Sequence, residues 1–206
     1  MIRTFVLSTL FLSFISISNA DQTMGNGPDN SKPEKAIFAG GCFWSMTSLF
    51  EKLHGVVKVI SGYTGGTGAN PTYQDYEEKG HMEAVEVAYD PFQITYADLL
   101  DAYWKQVDPT DSVGQFCDRG PQYRPAIFYD NEEQRQLIEQ SRDKLAKSGK
   151  FDKPIVVESI KASTFYPAEE YHQDYYKKNP LQYKSYRFKC GRDQFLEKIW
   201  GKSAGH

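Results

Sequence analysis

The chain has 206 residues, of which 40% are hydrophobic, and this length suits one domain with a sizeable core. Its 24 basic and 27 acidic residues give a net charge of -3 without a basic stripe, which argues against a nucleic-acid partner. Composition gives no sign of assembly, so a monomer is the default expectation.

The first 20 residues are organised like a secretory signal. Arg3 supplies a positive start, residues 5–17 form an apolar run, and Ala20 ends a small-residue cleavage sequence. The run is shorter than the ~20 apolar residues needed to cross a bilayer, so we expect cleavage near Ala20 and no stable membrane insertion. An uncleaved membrane anchor is the alternative. The expected product is exported, either periplasmic or secreted.

Residues 21–34 are polar and rich in glycine, asparagine and proline, which predicts a disordered linker ahead of one folded domain over residues 35–206. The domain begins with a short apolar strand at 36–39. A helical stripe follows and ends at Gly55. The next elements are a strand at 56–60, a glycine-rich loop at 62–70 and an alternating strand at 82–89.

The second half of the chain predicts further helices and strands around one long polar loop. Thr95 and Asp98 resemble a capping box at the start of a helix. Pro167 is well placed in the first turn of another helix. In chain order, the predicted elements are a helix over 95–107, the loop over 108–124, a strand at 125–129, a helix at 132–147, a strand at 155–160, a helix from 167 to about 178, and a short helix at 192–200.

The central order is strand, helix, strand, strand, helix, strand, which is the split βαβ, ferredoxin-like arrangement. We therefore predict an α+β fold, a two-layer α/β sandwich. Its sheet should be mixed or antiparallel, with helices on one face.

Cys42 is the first candidate for chemistry, because it follows a strand and two glycines and opens the first helix. Unpaired N–H groups and the helix dipole favour a thiolate at that position. We therefore expect the pKa of Cys42 to fall below the free-thiol value of ~8.5. The alternative is a buried, inert cysteine.

Glu83 is the second candidate, since it shares one face of its strand with Val85, Val87 and Tyr89. A carboxyl at the inward end of that face is partly desolvated, which raises its pKa above ~4.3 and lets it act as a general acid. The alternative is a strand-end glutamate that turns into solvent.

The other two cysteines, Cys117 and Cys190, allow two interpretations. Cys190 lies in residues 187–191, which we interpret as a flexible stretch, and a thiol there could close a disulfide with a sulfenic acid. In an exported protein, a structural Cys117–Cys190 disulfide is equally ordinary. Cys117 itself lies in the long loop, which is either functional or a solvated excursion in which Asp118 pairs with Arg119.

Five blocks of this sequence resemble those of the peptide methionine sulfoxide reductase A family, which acts on the S epimer of oxidised methionine. They keep the family's order and spacing from Lys35 to Trp200, so together they are far more specific than any single block. The blocks are Gly41-Cys42-Phe43-Trp44, residues 62–66 with 70–73, residues 80–85, residues 118–124 and residues 165–169.

The resemblance implies a role for each matching residue. Cys42 would be the nucleophile, Glu83 the proton donor to the sulfoxide oxygen, and Cys190 the resolving cysteine. The remaining site residues implied are Phe43 and Trp44, which would wall a pocket for the S-methyl group, and Tyr73, Tyr123 and Asp118, which would form the polar network around the oxygen. The implied fold is a two-layer α/β sandwich.

The implied chemistry repairs oxidised proteins and peptides, with no metal and no organic cofactor. Attack on the sulfoxide leaves Cys42 as a sulfenic acid, and Cys190 condenses with it to a disulfide. An external, thioredoxin-like dithiol then reduces the enzyme. Many family members carry two recycling cysteines in a glycine-rich tail, whereas this chain has one, followed by a helix. We therefore expect one disulfide step, with Cys117 as a candidate participant.

Two other functions remain open from the residues alone. A papain-like cysteine hydrolase would pair Cys42 with His172, which lies at a compatible spacing, although its charged neighbours predict a helix surface instead. A non-catalytic secreted binding module, held by a Cys117–Cys190 bridge, is the second alternative.

Overall fold

The computed structural model describes residues 32–202. The expected signal segment and most of the expected linker lie outside these residues, as do residues 203–206. Among the described residues, no helix combines the length and apolar character that a membrane crossing requires.

Eight strands and six α-helices make up the described part of the chain. The strands are β1 (Glu34–Ala39), β2 (Val56–Thr64), β3 (Met82–Tyr89), β4 (Gly114–Gln115), β5 (Asp118–Arg119), β6 (Ala126–Tyr129), β7 (Glu158–Lys161) and β8 (Tyr166–Pro167). The helices are α1 (Phe43–Phe50), α2 (Tyr96–Trp104), α3 (Glu132–Ala146), α4 (Tyr175–Lys178), α5 (Pro180–Lys189) and α6 (Arg192–Trp200). Two short 3-10 helices cover Pro121–Tyr123 and Glu170–His172.

The main sheet has six strands in the order β7-β6-β1-β3-β2-β8. Its four central strands reproduce the ferredoxin-like order, with β1 antiparallel to both β3 and β6. Only the β6–β7 pair is parallel, so the sheet is mixed, which confirms the predicted α+β class. β4 and β5 form a separate two-stranded hairpin within the predicted long loop.

The larger core cluster joins β1 and β3 to helices α1 and α2. Phe38 and Phe50 stack with ring centroids 4.6 Å apart, and both side chains are fully buried. Leu99 and Leu100 of α2 are fully buried in the same cluster. The capping box at Thr95 is present, which fixes the start of α2.

β8 and its flanking segments replace the helix predicted from Pro167 to residue 178, so that prediction is wrong. Pro167 instead pairs with Gly62 at the sheet edge, where its missing N–H costs nothing. The Gln173 side chain then donates to the carbonyls of Ser61 and Ala168, both at 2.9 Å, and holds the backbone extended. Asp174 has φ 55°, and within the predicted range the helical residues are the 3-10 turn Glu170–His172 and α4.

α5 also contradicts the prediction that residues 187–191 form a flexible stretch. Pro180 starts this ten-residue helix, whose inner face buries Tyr183 and Arg187. The Arg187 Nε donates to Asp193 Oδ1 at 2.8 Å and ties α5 to α6. Cys190 therefore caps a packed helix rather than lying on a mobile tail.

Several predicted boundaries shift. The helix predicted up to Gly55 ends at Phe50, and the strand predicted at 155–160 is β7, Glu158–Lys161. β2 continues through Gly62 to Thr64, where a loop was predicted. Gly62 lies so close to β8 that a Cβ atom there would be 2.4 Å from the Tyr166 carbonyl oxygen. The glycine admits the neighbouring strand instead of opening a loop.

Candidate active site

Cys42 occupies the N-cap position of α1, as the sequence predicted. Gly41 before it has φ 79°, and a Cβ there would lie 2.6 Å from Gln115 Cβ and 2.8 Å from Arg192 Nη2. Only a glycine allows the β1–α1 turn to pass between these two side chains. Gln115 belongs to the β4–β5 hairpin and Arg192 begins α6, so three distant segments meet beside the cysteine.

Glu83 reaches the same place from β3. Its side chain is 2% exposed, and its Oε2 accepts a hydrogen bond of 3.0 Å from the backbone N–H of Phe43, the residue after Cys42. Burial raises the pKa of Glu83 to about 8, against the opposing effect of this hydrogen bond. The carboxyl therefore holds its proton at neutral pH, and the predicted inward, desolvated position is confirmed.

Two tyrosine hydroxyls extend the carboxyl into a polar network. Tyr76 donates to Glu83 Oε1 at 3.1 Å, and the Tyr76 and Tyr123 hydroxyl oxygens are 3.5 Å apart. Burial, followed by the charge of Glu83, raises the pKa of both phenols. Both hydroxyls therefore keep their protons and remain available as donors.

The expected lowering of the Cys42 pKa is wrong. The residue is 7% exposed, and burial is the largest cause that holds its thiol pKa well above the usual value. The charges of Glu83 and Asp118 raise that pKa further, while a backbone hydrogen bond from Trp44 and the charge of Arg192 lower it. Desolvation outweighs the helix-start effect because α1 begins in the interior of the molecule.

Trp44 is held by contacts on both sides of its indole. Its ring stacks on Tyr175, with centroids 3.6 Å apart and planes 7° from parallel. Its Nε1 donates to His172 Nδ1 at 3.2 Å. Burial lowers the pKa of His172, which favours the neutral ring that can accept this hydrogen bond. The two partners fix the orientation of Trp44 before any substrate arrives.

Phe43 and Tyr73 differ in exposure. Phe43 is 1% exposed and packs against Tyr63 and His172, so it belongs largely to the core. Tyr73 is 42% exposed, and its ring stacks on Tyr76. Partial burial, followed by the charges of Glu83 and Cys42, raises the pKa of its phenol. Tyr73 therefore lies at the open side of the site, in electrostatic reach of both groups.

Asp118 acts on Cys42 through its charge, and the two remaining cysteines are bonded to each other. The Tyr186 hydroxyl of α5 donates to Asp118 Oδ2, and Cys117 and Cys190 form a disulfide with Cα atoms 4.9 Å apart. Asp118 does not pair with Arg119, which forms its ion pair with Asp111 instead. Cys42 is the free thiol of the three cysteines, all of which the structure describes.

The model of the family described as "Peptide methionine sulfoxide reductase" matches residues 34–204 of the chain. The chain belongs to this family. It is 57% identical over 171 residues to the peptide methionine sulfoxide reductase MsrA of Halalkalibacterium halodurans, covering 82% of this chain and 97% of that protein. It is 54% identical over 169 residues to MsrA of Listeria innocua, covering 81% and 96% of the two chains.

Solved structures agree with this peptide methionine sulfoxide reductase assignment. Methionine sulfoxide reductase A of Corynebacterium diphtheriae matches with TM-score 0.65 and 35% identity, covering 73% of this chain and 77% of that one. Reduced Mxr1 from Saccharomyces cerevisiae matches with TM-score 0.68 and 28% identity, covering 78% and 92%. The chain is thus an oxidoreductase that reduces methionine sulfoxide by thiol chemistry.

Membership in the reductase family contradicts both other functions that the residues had left open. His172 does not lie on a helix surface either, because it is 3% exposed in a 3-10 helix and accepts from Trp44. The predicted Cys117–Cys190 disulfide is present, but beside an enzyme site rather than in a binding module.

Sequence reasoning missed three residues of the reductase site. The Tyr76 hydroxyl donates a hydrogen bond to Glu83, and the Tyr186 hydroxyl donates one to Asp118. The Arg192 guanidinium donates a hydrogen bond of 3.0 Å to the Gly40 carbonyl. Tyr76 follows a recognised block by only three positions, which is the one signal that could have found it. Tyr186 and Arg192 belong to a terminal region where no block matched, so the sequence held no comparable signal for them.

Proposed function

We propose that Cys42 is the nucleophile of the methionine sulfoxide reductase reaction and Glu83 its proton donor. The observation that carries this proposal is the meeting of a free, N-cap thiol with a buried carboxyl whose pKa is about 8, joined through the Phe43 N–H. A sulfoxide oxygen leaves poorly unless it is protonated, so the site needs an acid beside its nucleophile. Glu83 keeps the required proton at neutral pH.

The reaction moves one oxygen atom from substrate to enzyme. The Cys42 sulfur attacks the sulfoxide sulfur and forms a sulfur–sulfur bond while the oxygen takes the Glu83 proton. The substrate S–O bond then breaks as the hydroxyl passes to the Cys42 sulfur, and the sulfur–sulfur bond breaks as methionine departs, which leaves Cys42 as a sulfenic acid. The thiol proton of Cys42 returns the carboxyl to its acid form. The substrate sulfur gains the two electrons that the Cys42 sulfur loses.

The neighbouring aromatic residues position the sulfoxide. Tyr73 and Tyr123 donate hydrogen bonds to its oxygen, since both keep phenolic protons beside Glu83. Trp44, clamped by Tyr175 and His172, and the buried ring of Phe43 form the wall against which the S-methyl group packs. In this arrangement the reductase selects the S epimer, because exchanging methyl group and oxygen would put the oxygen against apolar rings.

Recycling uses Cys190 and then Cys117. Cys190 condenses with the sulfenic acid of Cys42 and releases water. The Cys117 thiolate then attacks the Cys190 sulfur, which frees Cys42 and leaves the Cys117–Cys190 disulfide seen in the structure. An external dithiol reduces that disulfide. Packing of Gly41 against Gln115 and Arg192 supports this route, since it brings the segments of both cysteines beside Cys42.

Separated epimers of a methionine sulfoxide peptide, supplied with dithiothreitol, test the reaction. We expect turnover of the S epimer only, and equal rates for both epimers would contradict the proposed placement of Trp44 and Tyr73. Cys42→Ser should abolish even the first turnover. Cys190→Ser should keep a single burst of one methionine per enzyme and lose later turnovers supported by a protein dithiol. A Cys190→Ser variant with unchanged turnover would remove Cys190 from the cycle.

We also propose that the enzyme is exported and takes electrons from a thioredoxin-like protein outside the cytoplasm. The first 20 residues support export. The similar fold of yeast Mxr1, whose structure is solved in complex with Trx2, supports a protein partner of the Trx2 type. Mass spectrometry of the protein purified from its native compartment should give an N-terminus at Asp21. An intact Met1 in the cytoplasm would contradict the proposal.

A further inference from the structure

Two exposed tyrosines lie against the same buried ring of the reductase site. All 14 tyrosines of the chain fall within the described residues, and only Tyr73 and Tyr171 are exposed, at 42% and 54%. The ring centroid of His172 lies 4.5 Å from that of Tyr73 and 4.3 Å from that of Tyr171. The exposed tyrosines therefore belong to one aromatic cluster rather than being two isolated surface side chains.

The backbone holds this cluster together before any substrate binds. The Tyr73 N–H donates to Glu169 Oε1 at 2.8 Å, and the His172 N–H donates to the Glu169 carbonyl at 2.9 Å. The first bond joins the loop that carries Tyr73 to the 3-10 helix that carries Tyr171. A rim that is fixed in advance loses little conformational entropy when a ligand packs against it.

Electrostatic contacts place the cluster at the entrance to the site. Burial is the largest cause that raises the pKa of the Tyr73 phenol. The charges of Glu83 and Cys42 raise that pKa further, and the charge of the Tyr171 phenol adds to them. Tyr73 is thus in reach of the buried reactive groups and of Tyr171, while it is itself exposed to solvent.

A polypeptide substrate must lay its backbone at this entrance. A methionine sulfoxide side chain that reaches the buried Cys42 leaves its own main chain outside the interior, on the side where Tyr73 is exposed. Successive Cα atoms are ~3.8 Å apart, so a residue next to the oxidised methionine is within reach of both tyrosine rings. Exposed aromatic rings bury apolar side chains and stack with aromatic ones.

We propose that Tyr171, together with Tyr73, forms a subsite for an apolar or aromatic side chain next to the oxidised methionine of a polypeptide substrate. This inference rests on the proposed reaction at Cys42 and Glu83. The Tyr171 hydroxyl has no hydrogen-bond partner among residues 32–202, so its ring is the part available for contact. Free methionine sulfoxide has no neighbouring residue and does not use the subsite.

Selectivity between matched peptides tests the subsite. The substrates are capped tripeptides with a central methionine (S)-sulfoxide. One has serine on both sides, and in two others phenylalanine replaces the serine on the N-terminal or the C-terminal side. With dithiothreitol as reductant, we expect wild-type kcat/KM for at least one phenylalanine peptide to exceed that for the serine peptide by ~3-fold to 10-fold, as for one aromatic contact.

Tyr171→Ser should abolish this kcat/KM ratio, and Tyr171→Phe should keep it, because the ring makes the contact. The ratio cancels any general effect of a substitution on the reaction, such as lost support for His172. Phe92→Ser is the matched control, since Phe92 is 71% exposed but lies in the β3–α2 connection. Its ratio should equal that of wild type.

Three outcomes would overturn the subsite. Wild type could show equal kcat/KM for the three peptides, or Tyr171→Ser could keep the wild-type ratio while lowering all three values, which would leave Tyr171 a structural role only. Loss of the ratio in Tyr171→Phe as well would assign the selectivity to the hydroxyl instead of the ring.

Cys42→Ser, assayed on the serine peptide, distinguishes failure of the proposed reaction from failure of this inference. If Cys42→Ser kept its turnover, the proposed reaction itself would be wrong. If Cys42→Ser were inactive while wild type showed no preference for either phenylalanine peptide, only the subsite would be wrong.

Discussion

The backbone N–H of Phe43 donates to Glu83 Oε2 at 3.0 Å, which links the first residue of α1 to a buried carboxyl on β3. One hydrogen bond to a carboxyl oxygen thus fixes the acid next to Cys42, whose thiol stays free. Burial disfavours the charged form of the Glu83 carboxyl and therefore raises its pKa to about 8.

We predict that Glu83→Gln changes how stability depends on pH. Below pH 4.5, the ordinary value of this carboxyl, both native and unfolded chains hold the proton. From there to about pH 8 only the native state keeps it, so Glu83 contributes stability at low pH that is lost as pH rises through this interval. An amide carries no such dependence and should gain about 3 kcal/mol relative to wild type between pH 4.5 and 7.

Thermal or urea unfolding of both proteins across this pH range measures the gain. A constant difference between variant and wild type would contradict the raised pKa. Glu86→Gln serves as the control, because Glu86 lies on the same strand but forms an ion pair with Lys35. In the single-turnover assay, Glu83→Gln should also be slower by ~100-fold or more, the usual contribution of a general acid.

A second prediction concerns Tyr76→Phe. The Tyr76 hydroxyl donates to Glu83 Oε1, and this hydrogen bond lowers the pKa of Glu83. Removing it should move the basic limb of the single-turnover rate to higher pH by roughly one unit, since a hydrogen bond to a charged group is worth ~1.5 kcal/mol. A pH–rate profile with the S epimer measures the shift.

Tyr89→Phe is the matched control for this second prediction. Tyr89 lies on the same face of β3, but its hydroxyl donates to Glu34 at 2.7 Å, away from the site. The basic limb of the single-turnover pH–rate profile of Tyr89→Phe should coincide with that of wild type. A Tyr76→Phe limb that moved to lower pH would show that the hydroxyl does not stabilise the carboxylate.

The third prediction is that Asp118→Asn makes Cys42 more reactive toward alkylation. The negative charge of Asp118 contributes to the raised pKa of Cys42, after burial and the charge of Glu83. Removing it should lower the pKa and increase the iodoacetamide rate at pH 8 by roughly threefold to tenfold. Asp111→Asn, in the same long loop but paired with Arg119, should have no such effect. Equal rates for Asp118→Asn and wild type would argue that this charge does not reach the thiol.

The fourth prediction concerns Arg192→Leu. Arg192 is 1% exposed and donates to the carbonyls of Gln106 at 2.7 Å and Gly40 at 3.0 Å. Its loss leaves two buried acceptors unsatisfied, so unfolding free energy should fall by ~2–4 kcal/mol. Because its charge lowers the Cys42 pKa, alkylation of Cys42 should also slow down.

Chemical denaturation and the alkylation rate measure the two effects of Arg192→Leu separately. Arg142→Leu on α3 is the control and should change stability by less than ~0.5 kcal/mol. If Arg192→Leu were destabilised but alkylated at the wild-type rate, its role would be structural only.

Much of the fold followed from local pattern. The alternation that placed Glu83, Val85, Val87 and Tyr89 on one face of β3 agrees with their burial. The capping box at Thr95 also formed as predicted. The helix predicted from Pro167 did not form, because the Gln173 side chain holds that segment by hydrogen bonds to the carbonyls of Ser61 on β2 and of Ala168. Such contacts leave no periodic pattern in the sequence.

The sequence by itself determined the ferredoxin-like strand order, the family, and Cys42 and Glu83 as the residues to examine. Only the tertiary structure decided their electrostatic state. A helix start lowers a thiol pKa through local dipoles, whereas burial raises it through solvent removed by segments distant in the chain. Because Arg192 of α6 and Gln115 of the β4–β5 hairpin pack against Gly41 beside the buried Cys42, the distant effect is the larger one.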